Sequence, residues 1–164
     1  ALRTSIVLGK KGGAFVPLKR LVLLGLGGKQ GKGNQYISWI HEYDFASAVA
    51  FVLEHQLTGV VNIVSPIPTP NTTFMKQLRK GVGIPIGLPT PTPLLKLGAK
   101  IIGTETELVL KSRNVIPNRL LQEGFQFQFN TLEKTITDLI NNSGFKQVAV
   151  KNIDFEKLYN SKFN

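Results

Sequence analysis

An alternation of short apolar segments with longer amphipathic ones constrains the fold of this chain most. Residues 2–8 and 60–64 are runs of mainly β-branched and aliphatic side chains, closed by glycine or by Ser-Pro, as in buried strands. Between them, residues 45–55 carry small and apolar side chains at helical spacing. A strand–helix–strand succession with apolar strands predicts an α/β arrangement with parallel pairing.

Most of the other predicted elements are helices. Helices are predicted at 14–26, at 45–55 with Asp44 as the N-cap, after a cap at Asn71 or Thr72, and at 93–102, 118–123 and 131–142. Strands are predicted at 36–40 and, from the alternation of Phe with Gln, at 125–129, whereas 105–111 fits either state. Residues 145–164 have only scattered apolar side chains, so we expect a weakly packed tail.

The charge balance narrows the classes of partner. The chain has 20 Lys and Arg against 10 Asp and Glu, a formal net charge of +10, which favours nucleic acid, an anionic membrane or phosphorylated ligands. The basic residues are scattered rather than grouped in one run, so a solvated basic surface is the alternative. The aromatic stripe of Phe125, Phe127 and Phe129 contains no Lys or Arg, which favours core packing and disfavours a nucleic-acid groove.

The absence of cysteine and the hydropathy of the chain narrow the kinds of site and the cellular location that we expect. The chain has no Cys, which excludes disulfides, thiolate metal sites and cysteine nucleophiles and fits a reducing compartment, so we expect the cytoplasm. No continuous apolar run reaches the roughly 18–20 residues of a membrane span, and we expect no membrane partner. Residue 1 opens directly into an apolar segment, so we expect further sequence upstream of it.

A glycine-rich loop at 25–33 invites a phosphate-binding interpretation, because Gly lets backbone N–H groups approach an anion and Lys29 and Lys32 add positive charge. The spacing argues against it. A dinucleotide fingerprint counted from Gly25 meets Gln30 at its last glycine position, and a Walker A loop ending at Lys32 lacks the Ser or Thr that must follow. The sequence predicts a mobile surface loop or a cleft-lining loop instead.

The two histidines are the remaining candidates for chemistry. His41 and His55 do not form a metal-binding pair, so we expect no metal site. His55 falls at the end of a predicted helix, where its charge suits the helix dipole. His41 falls between a predicted strand and a predicted helix, where ligands of α/β proteins gather. It is either a ligand-facing residue or a hydrogen-bonded packing histidine, and both interpretations stay open.

Other catalytic patterns are weak. The sequence contains no Gly-x-Ser-x-Gly elbow, which excludes the usual serine hydrolase arrangement. Glu105 and Glu107 would face opposite sides of a helix or the same side of a strand, and Glu42 and Asp44 look like residues of a helix start. Capping and solvation are the better explanations of these carboxylates.

An ordered series of motifs resembles one family. The motifs are LRTSIVLG at 2–9, GGA at 12–14, LGLGG at 24–28, SWIH at 38–41, GVVN at 59–62, ELVL at 107–110, and Pro117 with Leu120, Gly124 and Phe125. Over about residues 2–142 the chain is similar to the atypical extended short-chain dehydrogenase/reductases, the NAD-dependent epimerase-like proteins that include cell-division inhibitor homologues. The later motifs resemble that family's C-terminal domain of unknown function.

The resemblance implies a protein of two parts. An N-terminal Rossmann domain would bind NAD or NADP through its own Gly-rich turn. This chain would be the C-terminal portion of a Rossmann-like parallel sheet plus a smaller, mostly helical substrate-side domain. In that scheme, residues 1–64 are late strands and helices of a truncated Rossmann-like domain, residues 65–144 form the substrate-side domain, and residues 145–164 are the tail.

The resemblance also implies roles for particular residues and partners. Arg3 and Thr4 would lie near the nicotinamide end of the cofactor, and Gln30, Trp39 and His41 would border the substrate cleft. NAD or NADP would be bound by the full-length protein and not by this chain alone. The partners would be a small-molecule substrate, of which nucleotide sugars are one class, and the N-terminal half of the same protein. A homodimer is an open alternative.

The chain departs from the catalytic pattern of the superfamily. That pattern is Tyr-x-x-x-Lys, in which the ammonium group lowers the pKa of the phenol. None of Tyr36, Tyr43 and Tyr159 has a Lys four positions later. We therefore expect the substrate-cleft part of an NAD(P)-dependent nucleotide-sugar epimerase or reductase-like protein that is not catalytic by itself. The alternative is a non-catalytic binding module for an acidic partner or nucleic acid.

Overall fold

The computed structural model describes residues 1–93 and 111–141. The strands are β1 (Leu2–Thr4), β2 (Ile6–Leu8), β3 (Tyr36–Ile37), β4 (Trp39–His41), β5 (Val61–Ile63) and β6 (Thr69–Pro70). The helices are α1 (Phe15–Leu23), α2 (Glu42–Glu54), α3 (Asn71–Val82), α4 (Asn118–Gln122) and α5 (Leu132–Asn141). Apart from their end residues 93 and 111, the predicted segments 93–102, 105–111 and 145–164 lie outside the described residues.

The strands pair as the alternation of elements predicts. β1 pairs with β5 in parallel, with Leu2 opposite Val61, and β2 pairs with β4 in parallel, with Ile6 opposite Trp39. β3 and β6 form a short antiparallel pair. The predicted strand at 2–8 is divided at Ser5, and each half has a different partner. The predicted α/β class with parallel pairing is confirmed.

Helices cover both faces of the β2–β4 pair. Side chains alternate between the faces of a strand, so Leu8 and Trp39 face one hydrophobic cluster while Val7 and Ile40 face another. The first core lies under α1, α3 and α5, and its buried members are Ile6, Leu8, Ala14, Phe15, Leu18, Val22, Ile37, Trp39, Phe74, Met75, Leu78, Leu132, Ile136 and Leu139. The second core lies under α2 and α4 and contains Ile40, Ala48, Val52, Val61, Ile63, Leu120 and Phe125. Full burial of each large apolar side chain contributes about 1.5–3 kcal/mol.

Helix starts differ from the predicted caps in two places. α2 begins at Glu42 with His41 as its N-cap, so the prediction of Asp44 as the cap is wrong. α3 follows Pro70 and has no side-chain cap, because the side chain of Asn71 bonds to Gln30 instead. α5 does have a side-chain hydrogen bond at its start, since Thr131 Oγ1 accepts a hydrogen bond from the Lys134 N–H at 3.4 Å.

Residues 125–129 are not a strand, contrary to the alternation of Phe with Gln. The N–H groups of Gln128 and Phe129 donate to the carboxylate of Asp44, so a side chain takes the place of a neighbouring strand. The predicted core packing of the aromatic stripe is confirmed for Phe125 and Phe129, which are both buried. Phe125 makes edge contacts with Phe51 and Phe127 at centroid distances of 5.3 and 4.8 Å.

Candidate functional site

His41 lies at the junction of β4 and α2 and is fully buried. As the N-cap of α2, its ring Nδ1 accepts a hydrogen bond from the Tyr43 N–H at 3.0 Å. The neutral ring therefore holds its proton on Nε2. Nε2 lies 3.3 Å from Asp138 Oδ2 on α5, so the histidine links the end of a strand to a helix far along the chain.

Phe129 and Asp44 complete a group that we call the His41 cluster: His41, Asp44, Phe129 and Asp138. The Phe129 ring stacks on the His41 ring with centroids 3.8 Å apart and an angle of 17° between planes. Asp44 is buried, and its two carboxylate oxygens accept from the N–H groups of Gln128 at 2.9 Å and Phe129 at 2.8 Å. The cluster fastens residues 125–129 and α5 to the start of α2.

Burial shifts the pKa values of the two titratable groups that α2 and its cap contribute to the cluster. Desolvation lowers the pKa of His41, against the opposing attraction of Asp138, Asp44 and Glu42. Desolvation raises the pKa of Asp44, although the hydrogen bonds from Gln128 and Phe129 favour its ionised form. The cluster therefore holds His41 towards its neutral form, with one buried carboxyl group beside it.

The orientation of His41 decides what it can do chemically. A histidine acting as a general base needs one ring nitrogen facing the reactant. Here Nδ1 accepts from backbone and Nε2 faces Asp138, so both nitrogens are directed at protein groups. This geometry favours the packing interpretation of His41. Its predicted position at the border of a substrate cleft stays a prediction.

Gln30 and Trp39, the other predicted cleft residues, are also fully buried. The indole Nε1 of Trp39 donates to Thr69 Oγ1 at 3.2 Å, and the ring belongs to the first core. The Gln30 N–H donates to Asn71 Oδ1 at 2.8 Å, and its carbonyl oxygen accepts from Gln35 Nε2 at 2.8 Å. Trp39 thus connects β4 to β6, and Gln30 connects the glycine-rich loop to the start of α3. Their role at a cleft stays a prediction.

The glycine-rich loop at 25–33 is fastened to residues 87–90 by backbone hydrogen bonds. Gly28 N–H donates to Leu88 O at 3.0 Å, and Gly31 N–H donates to Thr90 O at 3.1 Å. Gly28 and Gln30 are buried, so the expectation of a surface loop is wrong for this part of it. The N–H groups of Gly28 and Gly31, which a phosphate cradle would offer to an anion, are already used, which agrees with the argument from spacing.

Arg3 and Thr4, predicted near the nicotinamide end of a cofactor, lie on β1. Every residue of β1 is exposed, and Thr4 Oγ1 lies 3.5 Å from the carbonyl oxygen of Ile63 in the neighbouring strand. The cofactor role of Arg3 and Thr4 stays a prediction.

Within the described ranges, no group of three His, Asp or Glu side chains is placed to hold a metal ion. None of the helices described is both long enough and apolar enough to cross a bilayer.

Sequence reasoning missed three residues of the cluster. Asp44 was expected to cap a helix, while Phe129 and Asp138 had no predicted polar or ring partner. Asp44 and Phe129 are separated by 85 positions. No local pattern marks a contact at this distance, because helix and strand periodicities report only on neighbours within a few residues.

Comparisons with known proteins give three findings. Residues 90–139 match the family model described as a domain of unknown function, DUF1731. The chain is 33% identical over 141 residues to the epimerase family protein SDR39U1 of Mus musculus, covering 85% of this chain and 47% of that protein. It has a TM-score of 0.75 and 30% identity to the crystal structure of human SDR39U1 isoform 2 with NADPH, covering 86% of this chain and 48% of that one.

A bacterial relative agrees with these matches. The chain is 32% identical over 140 residues to an epimerase family protein of Staphylococcus aureus strain MRSA252, covering 85% of this chain and 46% of that protein. The chain thus spans about half the length of the curated relatives that it matches.

Proposed function

Because the chain belongs to the epimerase-like family of atypical extended short-chain dehydrogenase/reductases and matches its C-terminal region, we propose that it forms the substrate-side part of an NAD(P)-dependent epimerase or reductase-like protein. The human relative was crystallised with NADPH, which supports NADP as the cofactor of the whole protein. The proposed substrate is a small molecule, with nucleotide sugars as the first class to test. The proposed compartment is the cytoplasm, and a homodimer is the alternative assembly.

The exposure of β1 carries this proposal. Its three residues are all exposed, and the apolar side chain of Leu2 is 49% exposed. Among the described residues, β1 has a single neighbouring strand, β5, which runs parallel to it. Parallel strands of α/β proteins are usually buried on both faces. An uncovered parallel strand is therefore the surface that the earlier strands of a Rossmann sheet would cover.

The proposed division of labour follows from what the chain contains. It lacks Tyr-x-x-x-Lys, so the proton relay and the Gly-rich cofactor turn would come from an N-terminal Rossmann part. Segments 1–64 and 65–144, the proposed late Rossmann portion and substrate-side domain, share the first core, in which Ile6 and Phe74 are both members. The substrate-side region would thus be built directly onto the sheet, without a flexible linker.

The test is cofactor binding by the natural polypeptide that contains these residues. A ligand that binds only the native state stabilises it by about 2.7 kcal/mol at 100 times its Kd. We expect NADPH or NADH to raise the Tm, and we expect Leu2→Asp, which places a charge on β1, to reduce that shift. The control is Leu24→Asp, since Leu24 is 72% exposed and lies outside β1. An unchanged Tm with both cofactors would contradict the proposal.

The second candidate is a non-catalytic binding module for an acidic partner or nucleic acid, and the net charge of +10 favours it. The same protein sample can test it. In a gel-shift assay, binding to duplex DNA that weakens steeply with added salt would favour that candidate, provided that NADPH and NADH leave the Tm unchanged.

A further inference from the structure

A groove between α3 and α5 has no role in the proposed function. Its volume is about 680 Å³, and no member of the His41 cluster lines it. Ligand sites commonly have volumes of about 300–1,000 Å³, so the groove has the size of a small-molecule site.

The apolar part of the groove is formed by Gly81, Ile84, Pro85 and Ile136. A Cβ atom at Gly81 would collide with the Ile136 side chain, so Ile136 occupies the space that a side chain at 81 would need. Ile136 is buried in the first core, so Ile84 and Pro85 supply most of the accessible apolar surface of the groove.

Positive charge gathers along one wall. Lys76, Arg79 and Lys80 line the groove. Arg79 and Lys80 follow Lys76 by three and four residues, which puts each of them next to Lys76 on the surface of α3. Glu133 is the only carboxylate among the lining residues, so three cations against one anion leave a net charge of +2. Lys80 Nζ pairs with Glu133 Oε1 at 3.0 Å, but both side chains are largely exposed, so this ion pair is weak.

Two lining residues also have buried polar atoms for which residues 1–93 and 111–141 supply no hydrogen-bond partner. These atoms are Arg79 Nε, a donor, and Gln77 Oε1, an acceptor. Arg79 lines the groove, while its Nη1 donates to the carbonyl oxygen of Gly27 in the glycine-rich loop, which fixes the direction of its side chain. Buried polar groups almost always have partners in native structures. A ligand with acceptor oxygens, admitted by a small side-chain movement, would supply one.

From these features we propose that the groove binds a small organic phosphate. Its phosphoryl group would lie among Lys76, Arg79 and Lys80, and its apolar body would lie on Ile84 and Pro85. A small ligand fits better than a nucleic acid, because the cations converge on one groove instead of following an extended stripe. The site is independent of the proposed cofactor function.

Phenyl phosphate is the probe, titrated by calorimetry into the natural polypeptide that contains these residues, without any nucleotide cofactor. We expect saturable binding that is stronger than that of inorganic phosphate, which lacks the apolar ring. Lys76→Gln should weaken binding by a factor of about 1.5 to 5, the range of an exposed ion pair. Glu133→Gln should tighten it, because the variant removes the one anion and releases Lys80.

Lys32→Gln is the matched control, since it removes the same charge from an exposed residue that does not line the groove. It should leave the affinity unchanged, and circular dichroism should show that all variants are folded. If Lys32→Gln and Lys76→Gln lowered the affinity for phenyl phosphate equally, the effect would come from the overall charge of the protein and the proposal would be overturned. The proposal would also be overturned if the protein bound an oligonucleotide but not phenyl phosphate, and if Lys76→Gln weakened that oligonucleotide binding.

Discussion

Asp44 is the residue on which the docking of residues 125–129 most depends. Its carboxylate is buried and accepts two backbone N–H groups, one on each oxygen. Hydrogen bonds to an ionised acceptor are worth about 1.5–3 kcal/mol each, more than those between neutral groups. Asp44 thus offsets the cost of its own burial by satisfying two N–H groups that have no strand partner.

Asp44→Asn should lower the free energy of unfolding by about 1.5–3 kcal/mol. An amide has one oxygen, so one of the N–H groups of Gln128 and Phe129 would face an NH₂ donor. Urea unfolding followed by fluorescence measures the change. Glu54→Gln removes the same charge from an exposed position at the end of α2 and should change stability by less than about 0.5 kcal/mol. Equal effects of the two substitutions would contradict the structural role of Asp44.

His41 should make stability depend on pH in a defined direction. Its pKa is lowered in the folded state, so below the ordinary value of 6.5 the unfolded chain takes up a proton more readily than the folded one. The contribution of His41 is therefore complete above 6.5 and is lost as the pH falls from there through the lower folded pKa. The free energy of unfolding should decrease over this interval.

The variant His41→Asn isolates that contribution. Asn is a good N-cap, so its side chain can still accept the Tyr43 N–H. We expect lower overall stability but a shallower fall of the unfolding free energy between about pH 7 and 5. The unsubstituted chain, measured in the same buffers, gives the reference slope. If His41→Asn also kept that slope, the lowered pKa of His41 would be contradicted.

At the scale of elements, the loop at 25–33 depends on close backbone contact. A Cβ atom at Gly28 would lie 2.5 Å from the carbonyl carbon and oxygen of Leu88, which are rigid backbone atoms. The strand-like bonds between this loop and residues 87–90 leave no room for it.

Gly28→Ala should therefore destabilise the chain by about 1–3 kcal/mol, the usual cost of forcing extra atoms into packed space. Thermal unfolding measures the loss. Gly12→Ala is the matched control, because a Cβ there would meet no atom within 4 Å and the φ angle of Gly12 is not in the left-handed region. Similar changes in Tm for the two variants would contradict the importance of the loop contact.

Elements formed by local patterns could be predicted from the sequence, and those formed by distant contacts could not. The apolar runs at 2–8 and 60–64 contain strands, and the segment at 45–55 is helical, because burial and periodicity act within a few residues. The predicted start of α2 is wrong because the carboxylate of Asp44, a residue type common at N-caps, accepts the N–H groups of Gln128 and Phe129 instead of capping the helix. Residues 125–129 have the alternation of apolar and polar side chains that is typical of a strand, but no strand of the described residues pairs with them.

At the scale of the whole molecule, two cores on opposite faces of the β2–β4 pair hold the early and late segments together. The first core joins β2 and β4 to α5, and the His41 cluster adds a polar connection at the edge of the same elements. Composition and alternation predict this class of architecture. They do not predict the cluster, since its contacts depend on how α5 returns to the start of α2.

The exposed strand β1 also has a physical consequence for the chain in solution. An unprotected strand edge is a template for pairing with any other extended segment, including β1 of a second molecule. The net charge of +10 makes molecules of the chain repel one another, and added salt weakens that repulsion. High salt would thus weaken the charge repulsion while the edge of β1 stays exposed. At high protein concentration, aggregation through β1, and not unfolding, would then limit the solubility of this chain alone.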